Sequence, residues 1–191
     1  VVKPSRFISF NAMRIPVSES IVLELIDHHH AEPLFKVVDN NRTHLREWLP
    51  WVDYMRSVED FSRYITLCKK KHQDKIELGF VIMGGDALVG RIGLHYFDHN
   101  NKICSIGYWM DEQHTGKGII TNACKKLIHY AFTDLGFNRI EIKCGVGNTK
   151  SAAVPERLGF TREGVLRQGE WVNGNFIDLN LYSLLKSEYN Q

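Results

Sequence analysis

Gly116 and Gly118, separated by Lys117, fall where a run of alternating hydrophobicity gives way to a helical one. A turn at such a junction leaves backbone N–H groups unpaired at the positive end of the helix dipole, and glycines let a bulky phosphate come close. Lys117 adds a positive charge beside them. Residues 111–118 therefore read as an anion site, although a G-x-G pair alone also suits an ordinary tight turn. The known nucleotide loops do not fit. A Walker A loop needs Gly at Asp111 and Ser or Thr at Gly118, and the dinucleotide fingerprint needs Gly at Thr121. Gly145 and Gly147 open a second G-x-G, but Lys150 occupies the place of its third glycine.

Other residues with chemical potential carry less. Cys68, Cys104, Cys124 and Cys144 lie far apart in apolar stretches without C-x-x-C spacing, which argues against zinc, a disulfide framework or an activated thiol. They read as reduced core residues of a cytoplasmic protein. His28, His29 and His30 are consecutive, so their rings diverge on a helix, and a polar helix start fits better than a metal tract. Lys69, Lys70 and Lys71 close an amphipathic run, where cations suit the dipole. With 24 Lys and Arg against 22 Asp and Glu, the net charge is +2 and no basic block tracks a phosphate backbone, so direct nucleic-acid binding is not expected. Neither a signal-peptide arrangement nor a membrane-spanning run is expected.

The elements that must position the loop are legible in outline. At 191 residues, 43% hydrophobic and 24% charged, the chain suits one globular domain, with residues 1–20 an extension or extra strand. Residues 8–26 suggest a small hairpin interrupted by Pro16. Leu34, Val37, Val38, Leu45, Trp48 and Leu49 recur at helical intervals until Pro50, and a second helix runs over about 58–72. Residues 76–83 and 87–97 flank the turn Gly84, Gly85 and Asp86 as antiparallel strands, the second with one face buried through Ile92, Leu94 and Tyr96. A third strand covers 103–110. From Gly118 a helical stripe runs to Leu135 and Gly136 ends it; a strand over 139–144 follows. A short helix spans about 150–158, in which Pro155 is awkward unless it lies in or near the first turn, and a hairpin closes the chain around Asn173 and Gly174.

The phrase Gln113, His114, Thr115, Gly116, Lys117, Gly118 matches the Q/R-x-x-G-x-G/A signature of the GNAT acetyltransferases, and Asn148, Ser151, Leu158, Gly159 and Phe160 resemble their second conserved segment. Leu45, Trp48, Leu49, Pro50 and Trp51 resemble the L-x-x-W-L-P-W segment of the Rim-type ribosomal-protein N-terminal acetyltransferases. Glu170, Trp171, Asn173, Gly174, Asp178, Leu181 and Tyr182 fit their C-terminal hairpin. The likeness covers about 21–185.

The resemblance implies a mixed α/β GNAT fold, with a mostly antiparallel sheet splayed at the coenzyme site. It implies acetyl-CoA as cosubstrate and no metal. Tyr108, Trp109 and Met110 would face the pantetheine, and the N–H groups of His114 to Gly118 its pyrophosphate. Glu170 matches the position of the general base, acting through water; Ser151 that of the acid for the leaving sulfur; Asn148 one that orients the pantetheine or the helix start. Trp48 and Trp51 would wall the peptide entrance. The acceptor implied is the N-terminal α-amine of a protein, a ribosomal protein above all, and the family often forms homodimers. Two readings stay open beside it: acetylation of a small amine such as a polyamine or aminoglycoside, and a non-catalytic acyl-CoA-binding module.

Overall fold

The computed structural model describes residues 13–189. Among the described residues eight strands form one sheet in the order β1-β2-β3-β4-β5-β6-β8-β7. Of the residues expected in the N-terminal hairpin, 8–12 lie outside the described residues; the rest form β1 (Arg14–Pro16) and β2 (Ile21–Leu25), paired antiparallel through Ile15 and Leu23.

The helical run expected from Leu34 to Leu49 is not one helix. It breaks into α1 (Ala31–Asn40) and α2 (Arg42–Arg46), because Asn41 leaves helical geometry at φ −121° and ψ 16°. The Asn41 Nδ2 donates back to Val37 O at 2.8 Å, closing α1 as a side-chain cap does. α3 (Val58–Gln73) starts on a capping box in which Ser57 and Asp60 satisfy each other's backbone N–H groups. Its Lys70, Lys71 and His72 occupy the last turn, as the charge pattern implied.

β3 (Leu78–Gly84), β4 (Ala87–Asp98) and β5 (Ile103–Met110) make the antiparallel meander. The expectation of a single buried face on β4 fails. Helices cover both sides of the sheet, and Tyr96, assigned to the buried face, is 80% exposed at φ 54° where a bulge between His95 and Asp98 turns the strand. On one side α4 (Ile119–Thr133) packs Cys124, Leu127, Ile128 and Phe132 against Phe80, Ile82, Ile92 and Leu94. On the other, Leu34 and Val38 of α1 meet Phe61 and Ile65 of α3 over Val81 and Trp109. The four cysteines are free and buried. No helix among the described residues is long and apolar enough to cross a membrane.

The second layer also contains a buried charge. Glu77, its side chain 9% exposed, accepts from Lys71 Nζ at 3.0 Å and lies 3.4 Å from His95 Nδ1. Burial pushes its carboxyl up, but His95 and Lys71 outweigh that and hold it at about 2. The folded-state value is thus below the unfolded one. The resulting stability is present above about pH 4.5 and is lost as pH falls through about 2. Glu77→Gln should cost about 2 kcal/mol at pH 7, discounting the full shift because Lys71 is half exposed, and thermal melts should show the gap closing toward pH 2.

β6 (Arg139–Gly145), α5 (Thr149–Arg157), β7 (Thr161–Val172) and β8 (Asn175–Leu185) complete the chain. Asn173 and Gly174 turn the last hairpin at φ 50° and 81°, the primed-turn geometry their pairing implied.

Candidate active site

Between β5 and β6 the sheet comes apart. The two strands pair in parallel only at Ile103, Cys104 and Ser105, yet β5 stays bonded to β4 through Met110, and β6 to β8 through Gly145. From Ile106 to Met110 one edge of β5 therefore carries backbone groups that no strand answers. A cleft of about 790 Å³ opens there, lined by Tyr108, Trp109 and Met110 from β5, the loop before α4, and the start of α5.

The loop is built from both sides. Asp111 N–H donates to Val89 O at 2.9 Å, and Asp111 caps a 3-10 turn over Glu112–His114. Gly116 and Gly118 take left-handed φ of 76° and 73°, and Gly118 stands at the N-cap of α4 with no side-chain cap. Backbone bonding stops at Thr115 N–H and resumes at Asn122 N–H, so the N–H groups of residues 116–121 have no acceptor among the described residues. Such a row of donors at a helix start suits a pyrophosphate and requires no metal. His114, Thr115, Gly116 and Gly118 line the cleft, whereas Gln113 and Lys117 are exposed outside its lining.

Sequence reasoning missed Asn41 here. Its Oδ1 accepts Glu112 N–H at 3.0 Å, so the residue that ends α1 also fastens the anion loop. An asparagine interrupting an apolar helical pattern was the available signal.

Across the cleft, Asn148 caps α5, its Oδ1 accepting Ser151 N–H at 3.0 Å. Ser151 is thus inside the helix, and its Oγ is 3.3 Å from the Tyr108 hydroxyl. Tyr108 in turn donates to Ser151 O at 3.0 Å. That carbonyl is free because Pro155, four residues on, has no N–H to offer it. Pro155 lies toward the C-terminal half of α5, not in its first turn, and the lost helix bond is replaced by a bond across the splay. Burial raises the Tyr108 hydroxyl well above the usual phenol range, so it serves as a neutral donor.

Gly145 and Gly147 have their own explanation. A Cβ at Gly145 would lie 2.8 Å from the Trp48 ring, and one at Gly147 3.1 Å from it. The second G-x-G is a seat for tryptophan. Trp48 lines the cleft from that seat, whereas Trp51, expected beside it, is not among the lining residues and packs against the α1/α3 core with its ring 6.0 Å from that of Trp109.

Glu170 is carried by an irregular strand and is not among the residues that line the cleft. The β7 register shifts between Leu166 and Glu170, Gln168 adopts φ 52°, and its N–H donates to Asp178 Oδ1 at 2.7 Å. Glu170 then pairs with Ile177, whose Cδ1 would touch a Cβ at Gly145 at 3.4 Å, placing Glu170 on the Trp48 side of the hairpin. Asn173 Nδ2 donates to Arg46 O at 2.6 Å and ties the hairpin to the segment leading into Trp48. Burial alone raises the Glu170 carboxyl above its ordinary value.

The amino-acid pattern also matches a family. The model of the acetyltransferase (GNAT) domain matches residues 20–161. The chain belongs to the GNAT acetyltransferases. It is an acetyl-CoA-dependent N-acetyltransferase with the family's mixed α/β fold. Over 176 residues this GNAT chain is 42% identical to a putative ribosomal N-acetyltransferase of Bacillus subtilis, covering 91% of this chain and 95% of that protein. Over 169 residues it is 37% identical to the ribosomal-protein-serine acetyltransferase of Escherichia coli, covering 88% and 94%. A solved ribosomal L7/L12 α-N-protein acetyltransferase in complex with coenzyme A superposes with a TM-score of 0.87 at 30% identity, covering 93% and 100%.

The histidine tract lies apart from the cleft. His28–His30 form a 3-10 turn capped by Asp27. Donor atoms of Glu24, His29 and His30 fall within 4.8 Å of one another. His30 Nδ1, however, accepts Asp27 N–H at 3.0 Å, which puts the ring proton on Nε2, the atom facing Glu24 at 3.5 Å. A metal would have to displace that proton and break the cap.

Proposed function

We propose that this enzyme acetylates the N-terminal α-amine of a ribosomal protein by direct transfer, with Glu170 as general base and Ser151 as the proton donor to sulfur. The observation that carries the reading is Glu170: a half-buried carboxylate with a raised pKa, on the Trp48 side of the hairpin at the splayed strands. An α-amine has a reference pKa of roughly 7.7–8.0 against about 10.4 for lysine, so a modest base acting through one water suffices to deprotonate it. Acetyl-CoA brings the activated thioester. The N–H groups of residues 116–118 and the free edge of Tyr108, Trp109 and Met110 hold the coenzyme in this reading; those of His114 and Thr115, expected from the resemblance to join them, are spent on Asp111 O and Glu112 O within the 3-10 turn. Asn148 fixes the start of α5, so that Ser151 Oγ, paired with Tyr108, delivers a proton to the departing sulfur. Trp48 walls the acceptor side, with Trp51 packed against Trp109. The relatives named for ribosomal proteins support a peptide acceptor over a polyamine. A homodimer and a cytoplasmic location belong to the same reading.

The test is acetyl transfer, read as intact mass, onto peptides copying ribosomal-protein N-termini, with spermidine and a lysine-only peptide alongside. α-Amine acetylation at least tenfold faster than either control is the expected result. Ser151→Ala should retain coenzyme binding and lose about tenfold in kcat, about 1.4 kcal/mol. Transfer to spermidine alone would make the enzyme a small-amine acetyltransferase, and binding of acetyl-CoA without transfer to any acceptor would make it a binding module.

A further inference from the structure

Two fixed points on the β7–β8 hairpin disagree by two residues. Leu166 opposes Leu179, and nearer the tip Glu170 opposes Ile177, so four steps along β7 answer two along β8. The Asn173–Gly174 turn sets the tip through its own backbone chemistry, and the surplus has to be stored in between. It is stored in a bulge over residues 167–169. Gln168 turns left-handed there at φ 52°, a strained conformation for a residue with a side chain, and its N–H donates to Asp178 Oδ1 at 2.7 Å. Gly169 passes so close to β8 that a Cβ on it would stand 3.1 Å from Leu179 Cγ. Asp178 is anchored in turn: its carbonyl accepts Val146 N–H at 3.0 Å, between the two glycines that seat Trp48.

We propose that Asp178 is a positioning residue for the transfer: its carboxylate holds the β7 bulge in the register that sets Glu170, and not Gln168, opposite Ile177 on the Trp48 side. The inference rests on the reading of Glu170 as general base. Regular pairing continued from Leu166 and Leu179 would bring Gln168 opposite Ile177 and carry Glu170 on to Asn175, a displacement of about 7 Å along the strand. A glutamine side chain cannot take the amine proton, so a hairpin in that register is folded but has no base where one is needed. Asp178 lies between Ile177 and Leu179 and is not among the residues that line the cleft, so it meets the bulge without touching either substrate. One residue thus ties the base to the tryptophan: its side chain holds the bulge before Glu170, and its carbonyl holds the strand end that carries Gly145 and Gly147.

The test assays the full chain for α-amine acetylation of a peptide copying a ribosomal-protein N-terminus, with acetyl-CoA binding measured alongside. Asp178→Ala should lower kcat about tenfold and leave the Kd for acetyl-CoA within about twofold of wild type. Asp178→Asn keeps an oxygen for the Gln168 N–H and should recover most of that loss. So should Gln168→Gly introduced into the Asp178→Ala protein, because glycine takes a positive φ without the carboxylate's help. In a Glu170→Gln background Asp178→Ala should add less than about twofold, since the group it positions is already gone. An Asp178→Ala protein as active as wild type, equal losses in the two backgrounds, or no recovery on adding Gln168→Gly would each overturn the proposal and leave Asp178 as a brace for the hairpin. A Glu170→Gln protein as fast as wild type would instead remove the base reading, and this inference with it, whatever Asp178→Ala does.

Discussion

Glu170→Gln should lower kcat/KM for α-amine acetylation by about a hundredfold, or about 2.7 kcal/mol of barrier, with acetyl-CoA affinity unchanged. Gln keeps the shape and a hydrogen-bonding oxygen but cannot take the amine proton. The pH profile separates this from loss of structure. Burial raises the Glu170 carboxyl, so the wild-type rate should fall as pH drops through that raised value, and this acidic limb should vanish in the variant. The stability effect has the opposite sign from an ion pair's. A carboxylate whose folded pKa lies above its unfolded one destabilises the fold at all pH above the unfolded value and is relieved as pH falls. The variant should therefore melt no lower than wild type at pH 7. A kcat/KM within threefold of wild type across pH 6 to 9 would remove Glu170 from the base's role.

What the sequence disclosed, and what it withheld, follows the range of the interactions involved. The anion loop was legible because its cause is local: two left-handed glycines at a strand-to-helix junction. β5, α4 and the Asn173–Gly174 hairpin were legible for the same reason, since periodicity and turn chemistry act over a few residues. The split at Asn41 was not, because the partner that rewards it, Glu112 N–H, lies far along the chain. Nor was the outward turn of Tyr96, which depends on a bulge against β5. Gly145 and Gly147 completed no nucleotide fingerprint and were left without a cause, because a glycine's neighbour is invisible in sequence; here it is Trp48. The awkwardness of Pro155 within α5 is resolved by an equally distant partner. A proline inside a helix is tolerated when something else takes the orphaned carbonyl, and Tyr108 of β5 does so. For Glu170 and Ser151 local pattern alone offered an exposed hairpin carboxylate and a helix cap, and only the family resemblance raised them above that.

The largest stability loss is expected at Gly90. It pairs with Met110 at the last rung joining β4 to β5, at the far end of the splay that opens on the opposite edge after Ser105. A Cβ at this position would stand 2.5 Å from Trp109 O and 3.1 Å from Met110 Cα. Both obstacles are backbone, so no rotamer change can clear them. Either the end of β5 moves toward the cleft or β4 withdraws, and β4 is fixed against β3 through the pair with Ile82. Moving β5 displaces the free edge of Trp109 and Met110 and drags on the anion loop, whose first N–H is fastened to Val89, the neighbour of Gly90. Gly90→Ala should therefore cost about 3 kcal/mol, a fall in Tm of roughly 6–10 °C, and raise KM for acetyl-CoA about tenfold. Gly164→Ala is the matched control, because nothing lies within 4 Å of its Cβ position. It should leave Tm within about 2 °C of wild type, restriction of the unfolded chain making a slight gain the direction of any change. Melting curves of the two alanine variants, followed by coenzyme titration of whichever folds at 25 °C, decide the matter: a Gly90→Ala protein that melts with its control would show that the last rung of β4 and β5 does not set the width of the splay.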